Sequence, residues 1–160
     1  MALGENEFLM PIIQPENNSL KERKGLHLWH GDLSSCSQRV RITLAEKGLE
    51  WKSHLISIPN NQHATPEYQA INPMGPGPTF LHDGITIIES KDIIRYLDQT
   101  FPEPPLGPKN ASDEVAMLSW LDAADDAQPD LKLLSHEFLF RVRKPMNQAE
   151  IDSFGTSHHN

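Results

Sequence analysis

The sequence is poor in cysteine, since Cys36 is the only one among 160 residues. A lone cysteine cannot form an internal disulfide, so the chain is compatible with a reducing compartment, and we expect a cytoplasmic protein. Long hydrophobic runs are also missing, because the apolar stretch from Phe8 to Ile13 is short and broken by Pro11. The N-terminal residues are acidic rather than basic. These features predict neither a signal peptide nor a membrane span.

Positive charge is scarce as well. Fourteen Lys and Arg residues stand against 22 Asp and Glu residues, which gives a formal net charge of −8. Such a surface repels phosphates, so we expect no non-specific binding to nucleic acid and no binding to anionic membranes. Arg39, Arg41 and Lys47 form a local basic cluster, but three cations on one helix are typical of a solvated face.

Eight histidines raise the hypothesis of a metal site. His27 and His30 are three residues apart in a candidate strand and therefore face opposite sides of it. No histidine pair has strong zinc-ligand spacing, and a second cysteine is absent. We therefore predict that the protein uses no metal.

With 38% hydrophobic and 22% charged residues, most of the chain is typical of a globular protein. Residues 1–24 are polar and predict a flexible tail. Residues 25–102 predict a strand, a helix, a strand, a helix, a hairpin of two strands and a final helix. The hairpin turns at Asp83-Gly84, a pair that favours tight turns. This order is typical of an α/β domain with a mixed, four-stranded sheet.

The character of the chain changes after this domain. Residues 103–110 are rich in proline and predict a stiff linker. Residues 111–160 predict the beginning of an all-helical domain, in which the first helix ends near Ala127. Residues 130–142 predict a second helix, with Leu134 and Phe138 pointing inward. Two helices leave an apolar face uncovered, so we expect either a partial domain or another surface over that face.

The most informative stretch is LSSCSQRVR, residues 33–41, where the first helix begins. Ser34 or Ser35 can cap this helix, and Ser35 with Gln38 fits the reciprocal S/T-x-x-E/Q capping pattern. That pattern leaves the Ser34 hydroxyl available to a ligand. Cys36 is either a small packed residue or a reactive thiol activated by the helix N-terminus.

Several segments together resemble the N-terminal, thioredoxin-like domain of soluble glutathione transferases. SSCSQRVRI is similar to the opening helix of the zeta class, the maleylacetoacetate isomerase type. INPMGPGPTF resembles the family's N-P-x-G-x-V-P-x-L segment, and DGITIIES resembles its hairpin ending in a Glu/Gln-Ser pair. IIRYLDQTFPEPPL resembles its third helix and interdomain linker. The pattern also resembles transferases related to β-etherases, and it covers about half of the chain.

Under this resemblance Ser34 occupies the position of the catalytic serine, with Ser35 and Cys36 as alternatives. Ser34 and Ser37 also occupy the two redox positions of the C-x-x-C pattern of thioredoxin-like proteins, so dithiol exchange is not available. A hydroxyl at a helix N-terminus can donate a hydrogen bond to a thiolate, and the helix favours negative charge there. The resemblance thus implies glutathione as cosubstrate, activated as a thiolate.

The resemblance also implies a binding site for the rest of glutathione. The residue before a cis proline presents its backbone to the cysteinyl part, while a carboxylate, a hydroxyl and helix N–H groups bind the γ-glutamyl end. A side chain from the turn-rich region 60–80 meets the glycyl carboxylate. The residues implied for these three roles are, in order, Gly77 with Pro78, Glu89 with Ser90, and Gln62 or His63.

These features predict a glutathione transferase-like enzyme whose substrate is a small electrophile, attacked in conjugation, reductive ether or halide cleavage, or isomerisation. Two alternatives remain: a glutathione-dependent thiol-disulfide enzyme that uses Cys36, and a non-catalytic glutathione-binding or interaction module. The family's usual assembly implies a homodimer, and a monomer is the alternative for a chain of this length. In such proteins the helical domain builds most of the electrophile site, so the sequence names no substrate.

Overall fold

The computed structural model describes residues 12–75, 77–135, 137–138 and 147–148. The chain divides into two compact units after Gly107, inside the predicted linker at 103–110. The first unit is a sheet with helices, and the described part of the second unit is helical. This change from α/β to helical character is the one that the sequence predicts.

One mixed sheet of five strands forms the centre of the first unit. The strands, in chain order, are β1 (Ile12–Ile13), β2 (Leu26–His30), β3 (Lys52–Leu55), β4 (Thr79–His82) and β5 (Ile85–Ile87). Their order in the sheet is β1-β5-β4-β2-β3, with β2 parallel to β3 and the other neighbours antiparallel. The mixed sheet is confirmed, and the four predicted strands are β2 to β5.

The additional strand, β1, belongs to the segment that the sequence predicts as a flexible tail. β1 pairs with β5, and a 3-10 helix at Asn18–Glu22 follows it. Asn17 caps this short helix by accepting a hydrogen bond from the Ser19 N–H at 3.1 Å. Leu20 is fully buried in the same cluster as Trp29. The tail prediction is therefore wrong for this segment, because one leucine in a polar stretch packs into the core.

Helices cover both faces of the sheet. α1 (Ser35–Glu46) and α3 (Ser90–Thr100) pack on one face, where apolar side chains recur at i, i+4 spacing. A 3-10 helix (Gln62–Ala64) and α2 (Pro66–Gln69) lie in the segment that contributes to the other face. The first cluster contains Leu26, Leu28, Val40, Leu44, Phe80, Ile87, Ile93 and Leu97. The second contains Leu20, Trp29, Ile56, Tyr68 and Leu81. Alternation along each strand separates the two clusters.

The basic residues of α1 do not form the predicted solvated face. Lys47, at the C-terminal cap of α1, is buried, and its Nζ forms an ion pair with Asp98 of α3. Nζ also donates to the backbone carbonyls of Phe101 and Pro104, at 2.7 and 2.8 Å. Arg41 donates to carbonyls of the loop before α1. The prediction is wrong for these two cations, because carbonyls at loop and helix ends need donors.

The second unit contains α4 (Ala111–Asp126) and α5 (Gln128–Ser135). Asn110 caps α4 by accepting a hydrogen bond from the Asp113 N–H at 2.9 Å, and its amide donates to the Asp113 carboxylate at 2.8 Å. The predicted second helix at 130–142 extends in part beyond the described residues. None of the described helices is long and apolar enough to span a membrane.

An apolar surface is exposed in the second unit, as the sequence predicts. Trp120 is 77% exposed. The other large exposed apolar side chains in its described part are Val115, Leu131, Leu133, Leu134 and Phe138. The prediction that Leu134 and Phe138 point inward is therefore wrong, because the described helices of this unit bury neither side chain.

Candidate functional site

Four loop segments meet at the same end of the sheet. The start of β4 lies beside the ends of β2 and β5, since Trp29 is opposite Thr79 and Phe80 is opposite Ile87. The last residues of β2 and β3 also lie opposite each other. The chain that follows β2, β3 and β5 and the chain that precedes β4 therefore share one end of the sheet. All of the predicted site residues lie in these segments or directly beside them.

Ser34 lies between β2 and α1 and is the N-cap of the helix. Its backbone is extended, with φ −75° and ψ 120°, and its Oγ accepts a hydrogen bond from the Ser37 N–H at 3.2 Å. Of the two serines that the sequence allows as the cap, the structure selects Ser34. The Ser35–Gln38 capping pattern is wrong, because Ser35 is already the first helical residue. A hydroxyl has one proton besides its lone pairs, so Ser34 can cap α1 and still donate to a ligand.

The other residues of the SSCS segment have different surroundings. Ser37 is fully buried, and its Oγ accepts a hydrogen bond from the Gly31 N–H at 3.2 Å. Ser35 and Cys36 are half-buried in the first turn of α1. Ser37 therefore supports the loop from within the unit, whereas Ser34, Ser35 and Cys36 are accessible to a small ligand.

Gly77 and Pro78 lead into β4. Gly77 is exposed and has φ +99°, which glycine adopts without strain because it lacks a Cβ. Pro78 is buried. The Gly77 carbonyl accepts a hydrogen bond from the Tyr68 hydroxyl at 3.3 Å. Among the described residues the only cis peptide bond is Glu103–Pro104, so the cis bond expected before Pro78 is not found. The glycine turn brings the chain into β4 instead.

A buried polar network supports this segment, and sequence reasoning missed it. The Tyr68 hydroxyl lies 3.0 Å from Thr79 Oγ1, which also accepts a hydrogen bond from the Asn72 amide at 3.0 Å. Asn72 Oδ1 accepts a hydrogen bond from the Met74 N–H at 3.0 Å. Burial raises the pKa of Tyr68, so its hydroxyl keeps its proton and can donate to Gly77. Asn72 lies within the quoted INPMGPGPTF segment, but the sequence does not show that it is buried.

Glu89 and Ser90 lie at the start of α3. Glu89 occupies the N-cap position, yet its side chain makes no capping hydrogen bond. Its backbone has φ +66° and ψ 114°, which costs a residue with a side chain about 1–3 kcal/mol. The carboxylate is exposed, and Ser90 is buried as the first helical residue. The strained backbone therefore places the Glu89 carboxylate at the N-terminus of α3, although this carboxylate does not cap the helix.

Gln62 and His63 follow β3 in a 3-10 helix. Gln62 Oε1 accepts a hydrogen bond from the Ser57 N–H at 2.9 Å, which leaves the amide nitrogen as the group that can donate to a carboxylate. Nδ1 of His63 is buried and has no hydrogen-bond partner among the described residues. An unpaired buried nitrogen is costly, and this one has no surface accessible to a ligand from solution.

Histidines of the sheet form internal contacts. His27 Nδ1 lies 2.9 Å from His54 Nε2, and His27 Nε2 donates to the Lys24 carbonyl at 3.1 Å. The ring of Trp29 stacks on His54 with centroids 4.4 Å apart. Burial, followed by the charge of His27, lowers the pKa of His54. In the described part of the chain, no group of three or more His, Cys, Asp or Glu is placed to hold a metal ion.

Comparisons with known proteins find similar sequences and similar folds. Residues 33–100 match the family model described as glutathione S-transferase, N-terminal domain. Glutathione S-transferase 1 of Dianthus caryophyllus is 40% identical over 92 residues, which cover 58% of this chain and 42% of that protein. Maleylacetoacetate isomerase of Mus musculus is 42% identical over 95 residues, which cover 57% of this chain and 44% of that protein. The chain therefore spans less than half the length of these two relatives.

Solved structures share the fold. Beta-etherase LigF from Sphingobium sp. strain SYK-6 is similar with a TM-score of 0.70 at 25% identity, over 80% of this chain and 54% of that one. The family model begins one residue before Ser34 and ends at Thr100, the last residue of α3. It therefore contains every candidate site residue, and the resemblance inferred from the sequence is confirmed. Residues 33–100 are thus similar to the N-terminal domain of glutathione S-transferases in both sequence and fold.

Proposed function

We propose that the chain binds glutathione across this end of the sheet and activates its thiol as a thiolate for attack on a small electrophile. The observation that carries the proposal is the convergence of three features at one end of the sheet. These are the cap hydroxyl of Ser34, the exposed backbone of Gly77 and the strained, exposed Glu89. Each can bind a different part of glutathione: the sulfur, the cysteinyl backbone and the γ-glutamyl ammonium, respectively.

The chemistry of glutathione matches these groups. Its γ-glutamyl end carries an ammonium, which suits Glu89, and a carboxylate, which suits Ser90 and the N–H groups that begin α3. The amide groups of its cysteinyl part can pair with the exposed backbone of Gly77. The glycyl carboxylate can accept a hydrogen bond from the amide nitrogen of Gln62, with His63 as the alternative.

In the proposed mechanism, the Ser34 hydroxyl donates a hydrogen bond to the glutathione sulfur. The N-terminus of α1 adds positive potential, so the thiol loses its proton to solvent more readily. The thiolate then forms a carbon–sulfur bond with the electrophile. In a displacement the leaving group departs with the electron pair, whereas in an isomerisation the new bond breaks again and returns the thiolate. The names of the mouse isomerase and of the beta-etherase support two of these outcomes.

A titration calorimetry experiment tests the proposal. Glutathione is titrated into the chain in two buffers of different ionisation enthalpy, which gives both affinity and the number of protons released. We expect saturable binding with proton release. Absence of binding at millimolar glutathione would overturn the proposal, and binding without proton release would reduce it to a glutathione-binding module.

Two substitutions separate the roles of Ser34. Ser34→Ala removes both the cap and the donor. Ser34→Asp keeps a good capping acceptor but cannot donate to sulfur when ionised, and its charge repels a thiolate. We therefore expect Ser34→Asp to keep near wild-type stability and to lose proton release. Unchanged proton release in both variants would remove Ser34 from the mechanism.

Thiol-disulfide chemistry at Cys36 is the second candidate function, because Cys36 is half-buried in the first turn of α1, beside the cap. Its thiolate would attack a disulfide, form a mixed disulfide and release the other sulfur as a thiolate. A glutathione thiolate would then attack the mixed disulfide, free Cys36 and leave as part of a new disulfide. This function predicts a glutathione-dependent reductase activity that Cys36→Ala loses and Ser34→Ala keeps. The opposite pattern would support the transferase proposal.

A further inference from the structure

A single side chain binds two backbone carbonyls of the loop that leads to Ser34. Arg41 follows Ser34 by seven residues, two turns along α1, and so lies on the same side of the helix. Its Nη1 donates to the Gly31 carbonyl at 3.0 Å, and its Nη2 donates to the Asp32 carbonyl at 2.9 Å. Nη1 also lies 3.0 Å from Nδ1 of His30. One guanidinium thus contacts three consecutive residues.

The contact with His30 extends the network to β3. A guanidinium can only donate, so Nδ1 of His30 accepts and its Nε2 carries the proton. Nε2 then donates to Ser53 Oγ at 2.8 Å. Burial and then the charge of Arg41 lower the pKa of His30, which favours the neutral ring that this arrangement requires. Arg41 therefore connects the loop to α1 directly and to β3 through His30.

Gly31 is held from two sides. Its N–H donates to Ser37 Oγ at 3.2 Å, and its carbonyl accepts from Arg41. A Cβ at this position would lie 2.5 Å from Ile58 Cδ1, so the backbone passes close to the segment after β3. The loop between β2 and α1 consequently has little room to move while Arg41 is in place.

We propose that Arg41 is a positioning residue whose forked guanidinium binds the end of β2 and the loop residues Gly31 and Asp32, and thereby sets where the Ser34 hydroxyl lies. The inference rests on the proposed function and adds a residue that does not itself touch glutathione. The planar guanidinium serves several acceptors at fixed angles, whereas a lysine ammonium is a compact point charge on a flexible stem. The geometry of Arg41, rather than its charge alone, is therefore the property that matters.

Amide hydrogen exchange tests the loop directly, in the chain without glutathione. Arg41→Met and Arg41→Lys are compared with Arg39→Met, which removes the same charge from the same helix. We expect exchange at residues 31–37 to be about tenfold faster in both Arg41 variants and to stay near wild type in Arg39→Met. Equal exchange in all variants would overturn the inference, whether or not glutathione binds.

Thiolate formation tests the consequence for the site. The ultraviolet absorbance of the bound thiolate is followed against pH, together with turnover of an activated aryl halide. In both Arg41 variants we expect a higher pKa of the glutathione thiol and a kcat lower by about 10- to 100-fold, with KM for glutathione changed by less than about threefold. Wild-type behaviour of Arg41→Lys would overturn the role of the fork. If the wild type itself does not ionise glutathione, the proposed function fails, and the exchange experiment alone decides the loop.

Discussion

Lys47 and Asp98 form an ion pair that links the end of α1 to α3. The side chain of Lys47 is fully buried, whereas that of Asp98 is 27% exposed. Asp98 also accepts hydrogen bonds from the Leu106 and Gly107 N–H groups, both at 3.0 Å. Burial alone would raise the pKa of Asp98, but the bonds from Lys47 and from these N–H groups outweigh it and lower the pKa. The pair therefore anchors the chain that follows α3.

Removal of the carboxylate should destabilise the first unit strongly. Asp98→Asn leaves the buried Lys47 ammonium without its counter-ion, and we expect the free energy of unfolding to fall by about 3 kcal/mol. Urea unfolding measures the change. Glu103→Gln removes the same charge from an exposed position nearby and should cost less than about 0.5 kcal/mol. Equal effects of the two substitutions would show that the ion pair contributes no more to the free energy of unfolding than an isolated surface charge.

The capping of α1 predicts an asymmetry between adjacent serines. Ser34→Ala removes the acceptor for the Ser37 N–H, so we expect a loss of about 1 kcal/mol in the free energy of unfolding. Ser35→Ala replaces a helical residue by the best helix former and should cost less than about 0.5 kcal/mol. Thermal or urea unfolding of the two variants measures the difference. The reverse order of stabilities would assign the cap to Ser35.

Glu89 predicts a trade-off between stability and binding. Glu89→Gly relieves the positive φ, and we expect the free energy of unfolding to rise by about 1 kcal/mol. The same variant loses the carboxylate, and we expect glutathione affinity to fall about tenfold. Glu89→Gln is the matched control, because it keeps the backbone strain and removes only the charge. It should bind as weakly as Glu89→Gly without the gain in stability. Undiminished affinity in both variants would exclude a role for the carboxylate.

The lowered pKa values of His30 and His54 predict acid sensitivity. In the unfolded chain these histidines have the ordinary pKa of about 6.5, whereas in the folded chain their pKa is lower. Near pH 6.5 the unfolded state therefore binds more protons than the folded state. Stability is therefore retained above about pH 6.5 and lost as pH falls toward the lowered folded values. We expect unfolding midpoints in urea to drop between about pH 7.5 and 5.5. His30→Gln and His54→Gln should each reduce that slope, and a slope equal to wild type in both would contradict the assignment.

The regular elements were predictable because their signals are periodic or local. Val40 and Leu44 in α1, and Ile93 and Leu97 in α3, recur four residues apart, and all of them are fully buried. The turn at Asp83-Gly84 joins β4 and β5 as predicted, with φ +48° and +90° at its two residues. Spacing and turn residues are properties of the local sequence, so they are visible without a structure.

The errors concern features that depend on neighbours in space. Two isoleucines and a single leucine in a polar stretch are too few to form a pattern, so β1 and the burial of Leu20 were missed. Three serines surround Cys36, and the choice of cap depends on where β2 ends rather than on composition. The acceptors of Arg41 are carbonyls of a loop, and the path of that loop does not follow from the spacing of residues in the sequence. The residue types of the site were therefore predictable, but their supports were not.

The direction of the strands also places one end of the first unit far from the candidate site, where the protein can be attached to a surface. α1 leads from the site end of the sheet to the start of β3, so the turn between them lies at the opposite end. Glu50 is exposed in that turn. An affinity tag inserted there, or a bond to a sensor surface, would hold the protein by its far side. The site end of the sheet in the first unit would then face away from the chip, where ligand capture by this unit could be measured.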